Sequence, residues 1–267
     1  MTKKKESRLR NTKIAIVFFV ILLFFLSLSL VFKIVLIVRA GQFDDSKRFN
    51  LTISDNKKIK VISLSGNSKT ITVFELRGNI GSKEAGQLLE IPVDGFILSS
   101  SLDLNQKPDK LFLESIFNAK TLQTNLTIID LLKLLIFSKS IPSSLVVTKN
   151  ISTDLTAPES DKIIGRLVSD ELIEKDNQTI QIINGTDKEG LGNRLARLVT
   201  NMGGDVIIVA TSDVLRKKSL ISYIDQKTYT VERLEKILEY PAIKAGTDAI
   251  SDITIVIGED KISSSPF

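Results

Sequence analysis

The sequence predicts an α+β protein in which one membrane-spanning helix precedes two small α/β units. Three observations support this prediction: an uncharged apolar run near the N-terminus, alternating strands and helices over residues 41–154, and a second, clearer alternation over 178–261. Residues 155–177, which include Pro158 and a charge cluster, are predicted as a linker with a connecting helix, and 262–267 as a tail.

The composition excludes several kinds of active site. The chain has 267 residues and contains no Cys, His or Trp. A thiol nucleophile, a disulfide, a Cys/His zinc site and a Ser-His-Asp triad are therefore impossible. We expect neither a metal nor a cofactor, and the sequence assigns no catalytic residue.

The apolar run predicts a transmembrane helix over residues 14–38. Ile14 to Phe32 is a stretch of 19 residues without a charge, and at 1.5 Å per residue it spans about 28 Å, roughly the hydrocarbon core of a bilayer. Lys33 follows, but a lysine near a helix end can reach the interface. The alternative is a signal peptide cleaved after Ala40, for which the apolar run is long.

The basic residues before this helix predict its orientation. Residues 1–13 form a basic tail that contains Lys3, Lys4, Lys5, Arg8, Arg10 and Lys13. A Lys/Arg excess marks the cytoplasmic side, so we expect a single-pass cell-membrane protein whose bulk is extracytoplasmic. Together with Glu6 these residues account for the whole net charge of +5. Since the rest of the chain is neutral, no nucleic-acid partner is expected.

The first unit alternates strands and helices less regularly. Two strands are predicted around the turn at Ser65–Ser68, because Gly66 and Asn67 tolerate positive φ. A short helix ends before Pro92, and VDGFILS forms a strand. TIIDLLKLLIFSKS predicts a core helix because it is apolar around much of its surface, and SSLVVTKNI closes the unit as a strand. Residues 41–50 are predicted as a polar lead-out.

The second unit shows a βαββαβ order. Strands are predicted over 180–184, 205–211, 219–224 and 253–258, and helices over 190–202 and 230–239. This order fits a ferredoxin-like domain with both helices on one face of the sheet. Gly185 and Gly190 have the spacing of a phosphate-binding loop, but Leu191 and Gly192 stand where that loop needs Lys and Ser/Thr. The glycines are therefore interpreted as turns and helix ends.

The stretches IQIINGTDKEGLGNRLARLVTNMGGDVIIV and SDITIVIGED resemble the LytR C-terminal domain over roughly residues 178–261. The matching positions are Asn184, Gly185, Thr186, Gly190, Leu191, Ala196, Gly203, Asp205, Asp252, Ile253, Gly258 and Asp260. The resemblance implies a bacterial domain outside the membrane, which often follows a LytR-CpsA-Psr domain. Several membrane-anchored members are associated with envelope integrity, and no settled activity is attached to the domain.

Residues 59–151 resemble the LytR-CpsA-Psr domain more weakly, through KTITVFELRGNI, AGQLLEIPVDGFILSS and LQTNLTIIDLLKLL. Full members are phosphotransferases that move a polymer from a polyprenyl pyrophosphate lipid onto peptidoglycan, usually with Mg²⁺ and clustered Arg and Asp. Arg77 stands at the motif arginine, but Leu76 and Gly78 replace the motif Pro and Asp. The 26 residues from Ser99 to Thr124 contain no arginine, whereas a pyrophosphate needs several fixed cations.

These departures leave Arg77 as a candidate anion-binding residue, against the simpler interpretation of a solvated arginine at a strand end. Asp252 and Asp260 flank the last strand as turn residues or a weak cation site. Arg194 and Arg197 are expected to lie on a solvated helix face.

We therefore expect a reduced LytR-CpsA-Psr-like unit that has lost its catalytic site, followed by a LytR C-terminal domain. The predicted function is a non-catalytic binding or scaffolding module of the cell envelope, and peptidoglycan, another envelope polymer or a protein is the expected partner. The alternative is a residual phosphotransferase that acts on a polyprenyl-pyrophosphate-linked polymer.

Overall fold

The computed structural model describes residues 2–55, 58–77, 82–151, 157–246 and 249–262. Side chains are described from residue 16 onward, apart from those at positions 77, 82–83 and 157–160. The predicted C-terminal tail from residue 263 onward and the first two residues of the predicted linker, 155 and 156, lie outside the described residues. The chain divides into two compact units, Met1–Gly41 and Gln42–Phe267.

The first unit is a single long helix, α1 (Thr2–Arg39). Its segment Ile16–Arg39, 24 residues long, is long and apolar enough to cross a membrane. This suggests a membrane anchor near the N-terminus. The side chains of the six basic residues before it lie outside the described part of the chain, so the orientation stays a prediction.

The large unit begins with a six-stranded mixed sheet in the order β5-β4-β1-β2-β3-β6. Its strands are β1 (Phe49–Ser54), β2 (Lys58–Ser65), β3 (Thr70–Arg77), β4 (Gly95–Leu98), β5 (Gln123–Thr124) and β6 (Val146–Ile151). β1, β2 and β3 form an antiparallel meander, while β4 pairs parallel to β1 and β6 parallel to β3. The two strands predicted around Ser65–Ser68 are β2 and β3.

The predicted polar lead-out is wrong in part, because Phe43 and residues 48–50 are buried while residues 44–47 are exposed. Phe43 and Phe49 pack edge-to-face with ring centroids 5.2 Å apart, and β1 is buried along its whole length. The guanidinium of Arg48 is also buried; its Nη1 donates to Ser63 Oγ at 2.9 Å and to the Leu167 carbonyl at 3.2 Å. Burial lowers the pKa of Arg48. Polar residues within β1 hid this strand from hydrophobic patterning.

Helices cover both faces of this sheet. One face carries α3 (Pro108–Phe117) and α4 (Ile128–Ser140), and the other carries α2 (Ser82–Leu89) and α5 (Ala157–Val168). The predicted core helix α4 begins with a capping box formed by Thr127 and Asp130. Asp130 Oδ1 also accepts from the backbone N–H groups of Gln42 and Phe43, each at 3.0 Å. Asp130 therefore fastens the start of the large unit to α4.

The second sheet has five strands in the order β10-β9-β11-β7-β8. Its elements, after the short helix α6 (Glu171–Asp176), are β7 (Thr179–Asn184), α7 (Leu191–Asn201), β8 (Asp205–Thr211), β9 (Leu220–Tyr223), α8 (Tyr229–Leu238), β10 (Ala242–Lys244) and β11 (Ile253–Ile257). Both mixed sheets confirm the predicted α+β class. The region predicted as a linker with one helix contains both α5 and α6.

The ferredoxin-like arrangement is corrected by the strand pairing. That arrangement is a split βαβ unit, in which another strand lies between the two parallel strands. Here β7 and β8 pair directly and in parallel, and β11 joins the other side of β7, also in parallel. The strand β10 was not predicted, because three residues carry too little pattern. Both long helices cover one face, where their apolar residues share a core with β7, β9 and β11.

A buried ion pair joins the second sheet's layer to the first. Arg233 on α8 makes two hydrogen bonds to Asp94, with Nη1–Oδ1 at 2.6 Å and Nη2–Oδ2 at 2.8 Å. The exposed fractions of the two side chains are 8% and 4%. Asp94 Oδ2 also accepts from the Asn50 N–H at 2.9 Å. Burial acts to lower the pKa of Arg233, but the charge of Asp94 outweighs it and raises the pKa.

Removing Arg233 tests this contact. We expect Arg233→Met to lower the free energy of unfolding by about 3–5 kcal/mol, because the Asp94 carboxylate stays buried without its counter-ion. Chemical denaturation of residues 42–267 measures the change.

The matched control for this substitution is Lys236→Met on the exposed side of the same helix, which we expect to change stability by less than about 0.5 kcal/mol. Adding Asp94→Asn to Arg233→Met should restore part of the loss. A loss no larger than that of the control would contradict the importance of the pair.

Candidate functional site

A groove of about 540 Å³ lies on the first sheet, beside the start of α3 and the end of α4. Five apolar residues form its floor, Ile62, Ile71, Val73, Leu111 and Ile141; they are almost fully buried, so polar groups make up about half of the exposed lining. A groove of this size with a mixed apolar and polar lining has the character of a small-ligand or polymer-segment site.

Two lysine side chains lie at the rim of this groove. Lys107 is the residue before the first turn of α3 and makes no side-chain cap bond, and Lys139 lies in the last turn of α4. Both residues line the groove together with Asp109. The N-terminus of α3 adds a partial positive charge. The rim therefore favours an anionic group on a ligand.

One ion pair crosses the sheet inside the groove. Lys60 on β2 lies directly opposite Glu75 on β3 in the antiparallel register, and Nζ approaches Oε1 to 2.8 Å. Opposite charges at directly facing positions stabilise a strand pair. The Lys60 side chain is almost completely covered, whereas Glu75 remains partly accessible. The groove thus holds a fixed polar pair next to an apolar floor.

Sequence reasoning missed this groove. Lys60, Lys107 and Lys139 lie far apart in the sequence, and none stands in a recognisable motif. Only the β2–β3 register and the packing of the two helices bring them together. Arg77 is the last residue of β3, but its side chain lies outside the described residues, so its role in anion binding stays a prediction.

The motif residues at the start of the C-terminal domain organise the loop after β7. Asn184 Oδ1 accepts from Thr186 N–H at 3.2 Å and from Thr186 Oγ1 at 2.8 Å. Gly190, with φ +81°, precedes α7, and no side chain caps that helix. Gly203, with φ +97°, follows the end of the helix, where positive φ favours glycine.

The remaining glycines permit close backbone approach. A Cβ on Gly185 would lie 2.5 Å from Arg216 Cγ, and one on Gly258 would lie 2.4 Å from the Lys218 carbonyl carbon. The loop between β8 and β9 therefore packs directly on both positions. This gives two motif glycines a structural role.

The two motif aspartates lie at opposite ends of β11 and do not form a shared cation site. Asp252 Oδ2 accepts from Thr179 N–H and Oγ1 at 2.8 and 2.7 Å, and the Thr179 bonds lower the pKa of Asp252. Asp260 Oδ1 accepts from Ser219 N–H and Oγ, both at 2.8 Å. Each carboxylate instead joins segments that are distant in sequence, Asp252 to the first residue of β7 and Asp260 to the residue before β9. In the described part of the chain, no cluster of three or more Asp/Glu has metal-binding geometry.

Arg194 and Arg197 are only partly solvated, because both also form ion pairs that the sequence did not predict. Both approach Glu90 Oε1, at 3.2 and 3.4 Å, and Arg197 also binds Asp161 through Nε–Oδ2 at 2.6 Å. Glu90 is buried, with φ +45°, at the end of the α2 turn. Its partners are more than 100 positions away in sequence, so helix-face patterning could not identify them. This cluster is a second contact between the two sheet layers.

The C-terminal part of the chain matches a known protein family. The family described as "LytR cell envelope-related transcriptional attenuator" matches residues 177–260. These residues form a LytR C-terminal domain, as the sequence predicted, and the match indicates a cell-envelope protein. No curated protein sequence matches the chain.

Three solved structures are similar to part of the chain. The transcriptional regulator yvhJ from Bacillus subtilis has a TM-score of 0.34 at 13% identity and covers 40% of this chain and 83% of its own. B. subtilis TagV has a TM-score of 0.30 at 12% identity, with 40% and 85% covered. The Lin1025 protein from Listeria innocua has a TM-score of 0.29 at 12% identity, with 40% and 83% covered.

The buried Glu90 cluster generates a prediction of pH dependence. Burial raises the pKa of Glu90 above its usual value, although Arg194 and Arg197 oppose this. The folded state therefore holds the Glu90 proton more tightly than the unfolded state, so this stabilisation is present at acidic pH and is lost as pH rises through the folded pKa. We expect the unfolding free energy of wild type minus that of Glu90→Gln to fall from pH 3.5 to pH 7. A difference that grows over this range would contradict the raised pKa.

Proposed function

Because residues 177–260 form a LytR C-terminal domain, we propose that the chain is a membrane-anchored envelope protein that binds a wall polymer without transforming it. The large unit then presents its binding surface outside the membrane, with α1 as a single-pass anchor and the N-terminus in the cytoplasm. The observation that supports binding is the groove on the first sheet, with its apolar floor and its rim lysines.

The chemistry of the groove suggests the class of ligand. The apolar floor suits the carbon faces of sugar rings or an aliphatic chain, and Lys107 and Lys139 suit a carboxylate or a phosphate. Peptidoglycan offers sugar rings and carboxylates together. We therefore propose peptidoglycan, or another anionic envelope polymer, as the partner.

The alternative is a residual phosphotransferase that acts on a polyprenyl-pyrophosphate-linked polymer. The groove contains the carboxylates of Glu75 and Asp109, and Glu75 is held by Lys60. Neither the described groove nor the 26 residues from Ser99 to Thr124 contains an arginine. Binding without turnover is therefore the better supported function.

Co-sedimentation with purified peptidoglycan sacculi tests this function. We expect residues 42–267 to pellet with sacculi at moderate salt, where weak surface attraction is screened. Lys107→Glu combined with Lys139→Glu should weaken binding by up to about thirtyfold, since each of the two exposed charge contacts contributes up to about 1 kcal/mol.

The matched control combines Lys188→Glu with Lys236→Glu, which reverse the charge of two exposed lysines in the C-terminal domain. We expect this variant to bind sacculi as the wild type does. Equal loss in both variants would show a non-specific charge effect. Failure of the wild-type protein to pellet would contradict wall binding. Mg²⁺-dependent turnover of a polyprenyl-pyrophosphate-linked polymer would favour the phosphotransferase instead.

A further inference from the structure

The outer side of the helix pair α3–α4 exposes an apolar strip that the groove does not use. On α4, Ile128, Leu132 and Ile136 follow one another at four-residue intervals and are all exposed, and Ile136 is 68% exposed. On α3, Leu113 and Phe117 are exposed in the same way, and Phe117 is 80% exposed. Single exposed apolar residues are ordinary, but five on two packed helices form a patch.

This strip, defined by those five residues, faces away from the sheet. The opposite sides of both helices supply the core through Leu111, Phe112, Leu131 and Leu134. The two helices pack against each other, so their outer sides are neighbours on the surface of the large unit. A helix that is apolar around most of its circumference is typical of a position between two apolar environments.

Lysines border the strip. Lys110 precedes Leu113 on the same face of α3, Lys133 lies one turn before Ile136 on α4, and Lys120 follows α3; all three are exposed. None of the three forms an ion pair within the described residues. The acids on these helices are Asp109, Glu114 and the buried Asp130, and Glu114 accepts from Gln106 Nε2 at 3.2 Å. An apolar stripe edged with lysines is the pattern of a helix that lies at a bilayer surface.

The start of the large unit supplies an independent argument for a bilayer. The candidate span ends at Arg39, and only Ala40 and Gly41 lie between Arg39 and Gln42 in the sequence. Gln42 and Phe43 are hydrogen-bonded to Asp130, two positions from Ile128. A chain advances at most about 3.6 Å per residue. Only two residues therefore separate the candidate span from the segment that Asp130 binds at the start of α4.

We propose that the strip docks in the interfacial region of the lipid bilayer, with Lys110, Lys120 and Lys133 against anionic headgroups. This inference rests on the proposed membrane anchor and adds a second attachment to it. Because the anchor keeps the bilayer at high local concentration, a modest apolar surface is sufficient for docking. The groove is then held at a fixed height above the lipid.

The chain's lack of cysteine makes the test site-specific. The full chain is reconstituted in nanodiscs of phosphatidylglycerol and phosphatidylcholine, with one environment-sensitive fluorophore on Ile136→Cys. The control places the same fluorophore on Ile243→Cys, in the edge strand β10, where the native side chain is 50% exposed. We expect brominated lipid to quench the position-136 probe about twofold or more and to leave the control unchanged.

Charge reversal provides a second measurement. Lys110→Glu combined with Lys133→Glu should reduce quenching at position 136 in discs rich in phosphatidylglycerol, and added salt should reduce it in the wild type. Both substitutions lie at exposed positions, so the fold is retained.

Each outcome discriminates. Equal quenching at positions 136 and 243 overturns the docking. A position-136 probe that is shielded from iodide but not quenched by lipid also overturns it, because a protein such as a second copy would then cover the strip. Retention of the chain in discs after a high-salt wash tests the anchor separately. A retained chain with an unquenched probe contradicts only the docking, whereas a chain lost from the discs contradicts the anchor.

Discussion

The buried ion pair between Asp94 and Arg233 is the contact on which the arrangement of the large unit depends. Taking two charges out of water costs several kcal/mol for each, and only a well-formed pair offsets that cost. Asp94 meets this condition by accepting two bonds from Arg233 and one from Asn50. The turn before β4, the strand β1 and the helix α8 are thereby fixed relative to one another.

A second cluster of polar contacts, around Glu90, also joins the C-terminal domain to the layer of the first sheet. Asn201 at the end of α7 donates to the carbonyls of Leu89 and Glu90 at 3.3 and 3.1 Å, and Arg197 joins Glu90 to Asp161. The helix α5 lies between α2 and α7 and contacts both. Because polar contacts of defined geometry act on two sides, the LytR C-terminal domain packs as part of the large unit. It therefore reinforces the sheet that carries the groove.

Local pattern was sufficient for some elements and insufficient for others. The order β7–α7–β8 followed from apolar periodicity, and the long apolar helix α1 followed from an uncharged apolar run. The strand β1 was missed because Asn50, Thr52 and Ser54 are polar yet buried. The order of the second sheet was missed because strand pairing is non-local, and a split and a direct βαβ unit share one sequence pattern.

The site was less predictable than the fold. Lys60, Lys107 and Lys139 meet only because two strands and two helices pack together, and the partners of Arg194 and Arg197 lie in the other sheet's layer. The partners of Asp252 and Asp260 are also non-local, since Thr179 and Ser219 lie 73 and 41 positions away in the sequence. Function is therefore best derived from surfaces that the fold creates, and the family motifs explain chiefly how the fold is held.

The cooperativity of unfolding tests the central claim, that residues 42–267 form one body. All three tyrosines, Tyr223, Tyr229 and Tyr240, lie in the C-terminal domain and the chain has no tryptophan, so the tyrosine band of the wild-type near-ultraviolet circular dichroism spectrum reports that domain. A tryptophan in place of Phe74, in the first sheet's core, supplies a separate probe of that layer. The account predicts coincident denaturant midpoints for both probes. Two separated transitions would show independent domains and would contradict it.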